Sequence, residues 1–216
     1  MKLNLGCGKQ PVEGWTNLDK CELRGVDVVF DLEKCGEERI ALNTPWDTSE
    51  PLPYEPVRLP FEDDSVEEFQ AVHVFEHLRN LLPVLEELYR VAAPEAILTV
   101  RVPHGASDVA WENPTHVRPW FPSSFAPFEQ PYWWREDSDP SRPYRADWKP
   151  VLIQVLVDKA LYQGVDVEVI RRDLFQKRNT ALELIGTVQA VKPARLPLKE
   201  LQEGPRSELV LTERPQ

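Results

Sequence analysis

Cysteine, histidine and basic charge are all scarce in this chain of 216 residues. The three cysteines, Cys7, Cys21 and Cys35, stand at even intervals with no CxxC pair. An odd number so spaced, with no histidine nearby, excludes a disulfide framework and a cysteine zinc site and leaves free thiols. No metal is expected. No apolar run approaches the roughly 20 residues that a bilayer crossing needs, and no signal-peptide core follows Met1. The expectation is a cytoplasmic protein without membrane contact. Lys and Arg number 25 against 36 Asp and Glu, a formal charge of −11. That balance makes nucleic acid an unfavoured partner, because a local basic patch must work against a repulsive global field.

Proline is in excess, with 21 residues gathered at 45–60, 103–150 and 193–215. These clusters mark long loops and a tail. Between them run seven strand-like segments: 2–5, 15–19, 26–32, 67–74, 96–102, 165–175 and 181–191. Most are nearly continuous in apolar or β-branched residues, as in a sheet covered on both faces and therefore largely parallel. Residues 78–92 repeat leucines at spacings of three and four, which predicts an amphipathic helix stopped by Pro94. Residues 151–163 read as a second, more apolar helix ending at Gly164. Alternation of strand and helix predicts an α/β, doubly wound, Rossmann-like and mostly parallel seven-stranded sheet. The short link between 165–175 and 181–191 predicts an antiparallel edge hairpin.

Ligands of such sheets bind beyond the carboxyl ends of the strands. Gly6 and Gly8 follow the first strand and let the chain turn sharply there. Asp19, ending the second strand, can accept both hydroxyls of a ribose, and Asp31, ending the third, can accept from an adenine amino group. A tight turn without a ligand is the plain alternative. The full G-x-G-x-x-G fingerprint of dinucleotide binding is absent, which disfavours NAD.

The stretches "LNLGCG" (3–8), "NLD" (17–19), "LPFEDDSVEEFQAVHVFEHL" (59–78) and "ELYRVAAPEAILTVRVPH" (87–104) resemble the successive motifs of class I S-adenosylmethionine-dependent methyltransferases, of the small methyltransferase-11 type. The resemblance covers residues 2–104 and implies a methyltransferase enzyme with S-adenosylmethionine as cofactor. By position it implies that Leu5, Gly6, Cys7 and Gly8 form the turn under the methionine part and that Asp19 holds the ribose. Asp31 and Leu32, with Leu59, would surround the adenine, and His73 would lie beside the methionine or sulfonium. The chain departs from the pattern in three places. Asn4 stands where an acid often does, the first helix is cut down to "KQPVEGW", and residues 35–58 form an insertion. The resemblance places the methyltransferase domain at 1–192, with a lid-like aromatic and proline-rich loop at 105–150 and an extension at 193–216.

Methyl transfer needs a base only if the acceptor must lose a proton. His77, Glu76 and His116 are the catalytic candidates, with His104 behind them; helix capping and anchoring of a loop are the rival roles. Trp111, Trp120, Phe121, Tyr132, Trp133 and Trp134 read as a substrate wall or, alternatively, as a homodimer interface. Arg118, Arg135, Arg142, Arg145 and Lys149 suggest a small-molecule acceptor that is anionic or aromatic, against a plain solvated face. Two other functions stay open. One is a cofactor-binding scaffold or regulatory partner without catalysis. The other is a nucleic-acid methyltransferase, lowered by the absence of an Asn/Asp-Pro-Pro-Tyr motif after the fourth strand.

Overall fold

A computed structural model of the chain describes residues 1–40, 54–136 and 144–213. In chain order its strands are β1 (Lys2–Leu5), β2 (Thr16–Asp19), β3 (Val28–Val29), β4 (Glu38–Ile40), β5 (Tyr54–Pro56), β6 (Val66–Val72), β7 (Ala92–Pro103), β8 (Trp148–Asp158), β9 (Ala181–Ala190) and β10 (Arg206–Thr212). The α-helices are α1 (Leu81–Val91), α2 (Val109–Glu112), α3 (Lys159–Tyr162) and α4 (Val167–Gln176). β4 and β5 pair antiparallel by themselves, and the others form one eight-stranded sheet in the order β10-β8-β9-β7-β6-β1-β2-β3. From β3 across to β7 every pairing is parallel, while β9 runs antiparallel to both of its neighbours. This is an α/β Rossmann-like sheet with an antiparallel edge. The eighth strand comes from the tail, where β10 pairs in parallel with β8.

Two expected elements exchange identity. Residues 151–163 belong mainly to β8, and only the end of the segment turns into α3. A strand buried on both faces is apolar all along, so its periodicity resembles that of a buried helix. Residues 165–175 form α4 instead of a strand: Ile170 and Asp173 are its buried residues, and the Asp166 carboxylate caps it by accepting from the Glu168 N–H. Valines at 165, 167 and 169 gave the segment its strand-like look. The antiparallel pair is therefore β8 with β9, and α3 and α4 lie in the connection.

The third strand is also shorter than expected. Asp31 ends it by capping the 3-10 turn Leu32–Lys34. The leucine-rich helix starts late, at Leu81, because the Glu33 carboxylate takes the N–H groups of Arg79 (2.7 Å) and Asn80 (3.2 Å) just before it. Of the 35–58 insertion, residues 41–53 lie outside the described residues, as do 137–143 of the aromatic segment.

The aromatic segment supplies core. Trp120, Phe125, Phe128, Tyr144 and Trp148 are buried. The Trp148 indole donates to the Leu85 carbonyl of α1 (3.1 Å) and meets Phe69 of β6 edge-on. Arg195 holds the following extension in place through a two-pronged pair with buried Asp147, with contacts of 2.8 Å, and a further bond to Glu129. Phe125 lies directly on β9, where a Cβ at Gly186 would stand 2.3 Å from its ring. Gly186→Ala should therefore push the ring out of its seat and cost about 1–3 kcal/mol, as overpacking does. Urea denaturation should show a lower midpoint with an unchanged slope.

Candidate active site

The turn after β1 explains the spacing of its glycines and Asp19. Gly6 has φ of 59°, and a Cβ on it would stand 2.5 Å from Cγ2 of Val74, so the exits of β1 and β6 touch there. Gly8 has φ of 53° with open space where a Cβ would be. Its N–H donates to one oxygen of Asp19 (2.8 Å), and the Cys21 N–H donates to the other (2.9 Å). Each oxygen of an ionised carboxylate has about two acceptor sites, so Asp19 stays oriented with one free on each.

Asp19 lines a cavity of about 770 Å3 at the carboxyl ends of the strands. Gly6, Asp31 and Leu32 share that wall, and His73 and His77 stand on the β6 side. Leu5, Cys7, Gly8 and Leu59 do not line it. Leu5 belongs to the hydrophobic core. Cys7 is also buried, and burial pushes its thiol up. Leu59 lies under α1, its N–H donating to Glu87 (2.7 Å) and its carbonyl accepting from Arg90 (3.1 Å). The insertion thus rejoins the fold on the α1 side. A second cavity of about 700 Å3 shares Arg79 and Asn80 with the first. Arg90 on its wall already pairs with Glu87 and Asp63, and it carries no histidine, so we place the chemistry in the first.

Just past β6, His73 has φ of 55°, a left-handed backbone that a non-glycine residue adopts rarely. Its N–H donates to the Arg101 carbonyl (2.9 Å). Its ring meets Glu183 of β9 at Nε2 (3.0 Å) and Glu76 at Nδ1 (3.2 Å). These two bonds, Glu183 first, push His73 up to about 9 and hold it as a cation at neutral pH. Burial raises Glu183, but the bonds from His73 and Arg101 outweigh it and leave its carboxyl low.

The three catalytic candidates come together. One ligand-type atom from each of Glu76, His77 and His116 lies within 4.8 Å of the others. Glu76 is almost wholly buried in the 3-10 turn Phe75–His77. Its Oε1 meets His73, and its Oε2 has no hydrogen-bond partner. The 113–118 stretch is strapped onto this turn. The Val117 N–H donates to the Glu76 carbonyl (2.8 Å), and the Arg118 guanidinium donates to the carbonyls of Leu78 and Arg79 (2.9 Å each).

Among the described residues, the expected basic neighbourhood does not form at the cavity. Arg118 is engaged as just described, Arg135 stacks on Trp134, and Lys149 pairs with Glu203. Arg142 lies outside the described residues. Among the described residues of the long segment, only 114, 115 and 117 line the cavity, and Trp120 packs in the core instead of over it. Its length reflects packing on β8 and β9.

The strand order and the site at the carboxyl ends define a class I methyltransferase fold. The chain carries a class I S-adenosylmethionine-dependent methyltransferase domain, and S-adenosylmethionine is its cofactor. Residues 3–100 match the methyltransferase-11 family model, described as "Methyltransferase domain". The chain is similar in structure to a SAM-dependent methyltransferase from Archaeoglobus fulgidus, at 15% identity and TM-score 0.53, covering 87% of this chain and 85% of that one. It is also similar to the YcgJ protein of Bacillus subtilis, at 13% identity and TM-score 0.48, covering 89% and 92%. An S-adenosylmethionine-dependent methyltransferase from Mesorhizobium loti gives 10% and 0.47, with 87% and 90% covered. No curated protein matches the chain. Among the described residues, no helix is long and apolar enough to cross a membrane.

Sequence reasoning missed Phe30, Glu33, Arg101, Thr115 and Glu183. Phe30 and Thr115 line the cavity. Arg101 and Glu183 were visible as charges inside otherwise apolar strands, a pattern that marks sites.

His104 stands apart from the cavity. It is buried, its Nδ1 accepts the Ala106 N–H (3.1 Å), and burial pushes it down to about 4. An unfolded histidine titrates near 6.5. The unfolded chain therefore binds a proton below that pH that the folded one refuses, and stability falls as pH drops from about 6.5 to 4. The contribution is up to about 3 kcal/mol. His104→Gln should flatten this part of the pH dependence, measured as urea unfolding free energy at pH 7, 6, 5 and 4.

Proposed function

We propose that this protein transfers the methyl group of S-adenosylmethionine to a small or medium-sized acceptor entering at the His77 and Thr115 end of the cavity. The observation that carries this reading is Asp19. It is a carboxylate fixed by two backbone N–H groups, half exposed on the wall of a cavity of about 770 Å3. That volume lies within the range of about 300–1,000 Å3 usual for small-ligand sites. Asp19 would hold the ribose hydroxyls, and Asp31 the adenine amino group. Phe30 and Leu32 would supply apolar contact, and Gly6 close approach of the backbone, while Gly8 would act through its N–H on Asp19. His73, kept cationic by its two carboxylates, suits the methionine carboxylate better than the sulfonium.

When bound, the cofactor supplies a methyl group on a reactive sulfonium. The protein's share is then mainly orientation, which can be worth about 7–11 kcal/mol. His77, with His116 and Glu76 behind it, forms the polar group at the acceptor end that can take up a proton. The acidic residues Asp19, Asp31, Glu33 and Glu37 outnumber Lys20 and Arg79 on the cavity wall, which supports a small acceptor over nucleic acid. We infer that residues 1–192 are the catalytic domain, that 193–216 extend it through β10, and that the protein works in the cytoplasm.

Calorimetric titration with S-adenosylmethionine and, separately, with S-adenosylhomocysteine tests the reading. Both should bind, and Asp19→Ala should weaken each by roughly 10- to 150-fold, the equivalent of about 1.5–3 kcal/mol for hydrogen bonds to a charged group. Well-folded protein that binds neither ligand, or an Asp19→Ala variant that binds both normally, overturns it.

A further inference from the structure

We propose that Glu76, His77 and His116 form a binding site for one divalent transition-metal ion of the zinc class, beside the acceptor end of the cavity. The hydrogen-bond pattern of the two imidazoles points to it. The His116 Nδ1 lies 3.1 Å from the Ala110 carbonyl, which can only accept, so Nδ1 carries the proton and Nε2 has a bare lone pair. His77 Nδ1 lies 2.9 Å from the Thr115 hydroxyl and 3.3 Å from the Thr115 carbonyl. That hydroxyl already donates to Asn113 (2.7 Å), so it accepts from His77, and again Nε2 is left bare. Metal-ligating histidines characteristically donate their other ring N–H to a carbonyl or similar acceptor, which fixes the tautomer and the ring orientation.

The rings stand 4.8 Å apart between centroids, edge to face. Glu76 adds a carboxylate whose Oε2 is buried without a partner. One ring nitrogen of each histidine and one Glu76 carboxylate oxygen lie within 4.8 Å of one another, so a single cation can be shared by all three. Two histidines and one carboxylate, with further positions open, are a set used for zinc and for iron(II). Imidazole donors disfavour magnesium and calcium, which prefer oxygen ligands. Ligand atoms around a tetrahedral zinc ion stand about 3.3 Å apart, so a small inward movement closes the set.

The surroundings hold the histidines in place. Asn113 orients Thr115 through its N–H (3.0 Å) as well as its hydroxyl, and the Asn113 carbonyl accepts the His116 N–H (3.1 Å). His77 lines the cavity, which gives an ion a route in. The chain has four histidines; of the other two, His73 is committed to carboxylates and His104 is buried elsewhere. The site stands on these ligand contacts and does not require that the acceptor reading be right.

The test uses full-length protein stripped with chelator. Zinc chloride is titrated by calorimetry, and cobalt(II) chloride is followed by its visible absorption bands. The expected result is one equivalent bound with a Kd at or below about 10 μM and cobalt bands of nitrogen and oxygen ligation. His77→Ala and His116→Ala should each weaken binding at least 10-fold, while Cys21→Ser, which removes the exposed thiol, leaves it unchanged. Glu76→Gln keeps a hydrogen-bonding group toward His73 and removes the anion; it should weaken binding in the same way if an alanine variant fails to fold. Absence of zinc and cobalt binding, or binding that survives loss of His77 or His116 or depends on Cys21, overturns the proposal. Cofactor titration of the stripped protein separates this outcome from failure of the methyltransferase site itself.

Discussion

The carboxyl ends of the strands are organised around the buried carboxylate of Glu76. A charge so enclosed needs partners. The partner present is His73, which reaches it only because the chain takes a left-handed turn at the end of β6. That conformation costs a non-glycine residue roughly 1–2 kcal/mol, and it persists because surrounding bonds determine it. The His73 N–H is held by β7, its second ring nitrogen by β9, and Glu76 itself by the backbone of the 113–118 stretch. One ion pair therefore joins three strands and a loop at the place where the sheet changes from parallel to antiparallel.

On the other side of β1, amides replace what a helix supplies elsewhere. Asn4 donates to Asn17 of β2 (2.9 Å) and accepts from Gln70 of β6 (3.0 Å), making a buried ladder across three strands. Asn17 then binds the N–H (2.7 Å) and the carbonyl (3.1 Å) of Val12, which ties down the short connection 6–15. An acid at position 4 cannot serve here: a carboxylate has no proton to give the Asn17 oxygen, whereas an amide both donates and accepts. Asn4 thus strengthens the floor beneath the glycine turn, and the network gains from being satisfied throughout.

How much was legible follows from where chemistry and periodicity coincide. The glycine turn, the acids at 19 and 31 and the histidines at 73 and 77 gather at one end of the sheet, with His116 beside them, because their spacing along the chain puts them at strand ends and in the loop, and spacing is visible in sequence. Segments 151–163 and 165–175 were misread because uniform apolarity cannot separate a covered strand from a buried helix, and valines in α4 mimic strand propensity. Leu5 and Leu59 were assigned from position alone, and nothing in a leucine says which wall it faces. The contacts of Glu183 to His73 and Arg101 were beyond reach, since they join β9 to residues about a hundred positions earlier.

The cavity wall on the His77 and Thr115 side is held by many bonds. Residues 114, 115 and 117 reach the cavity from a stretch pinned by Asn113, by the N–H of Val117 and by the guanidinium of Arg118, and anchored further along by buried Trp120. A lid that closed over substrate would need to break several of these bonds at once. On the reading proposed above, such a fixed wall would select an acceptor by shape and by its few polar groups, Thr115 and His77 among them. Arg118 contributes to this end of the cavity by holding the Leu78 and Arg79 carbonyls in place.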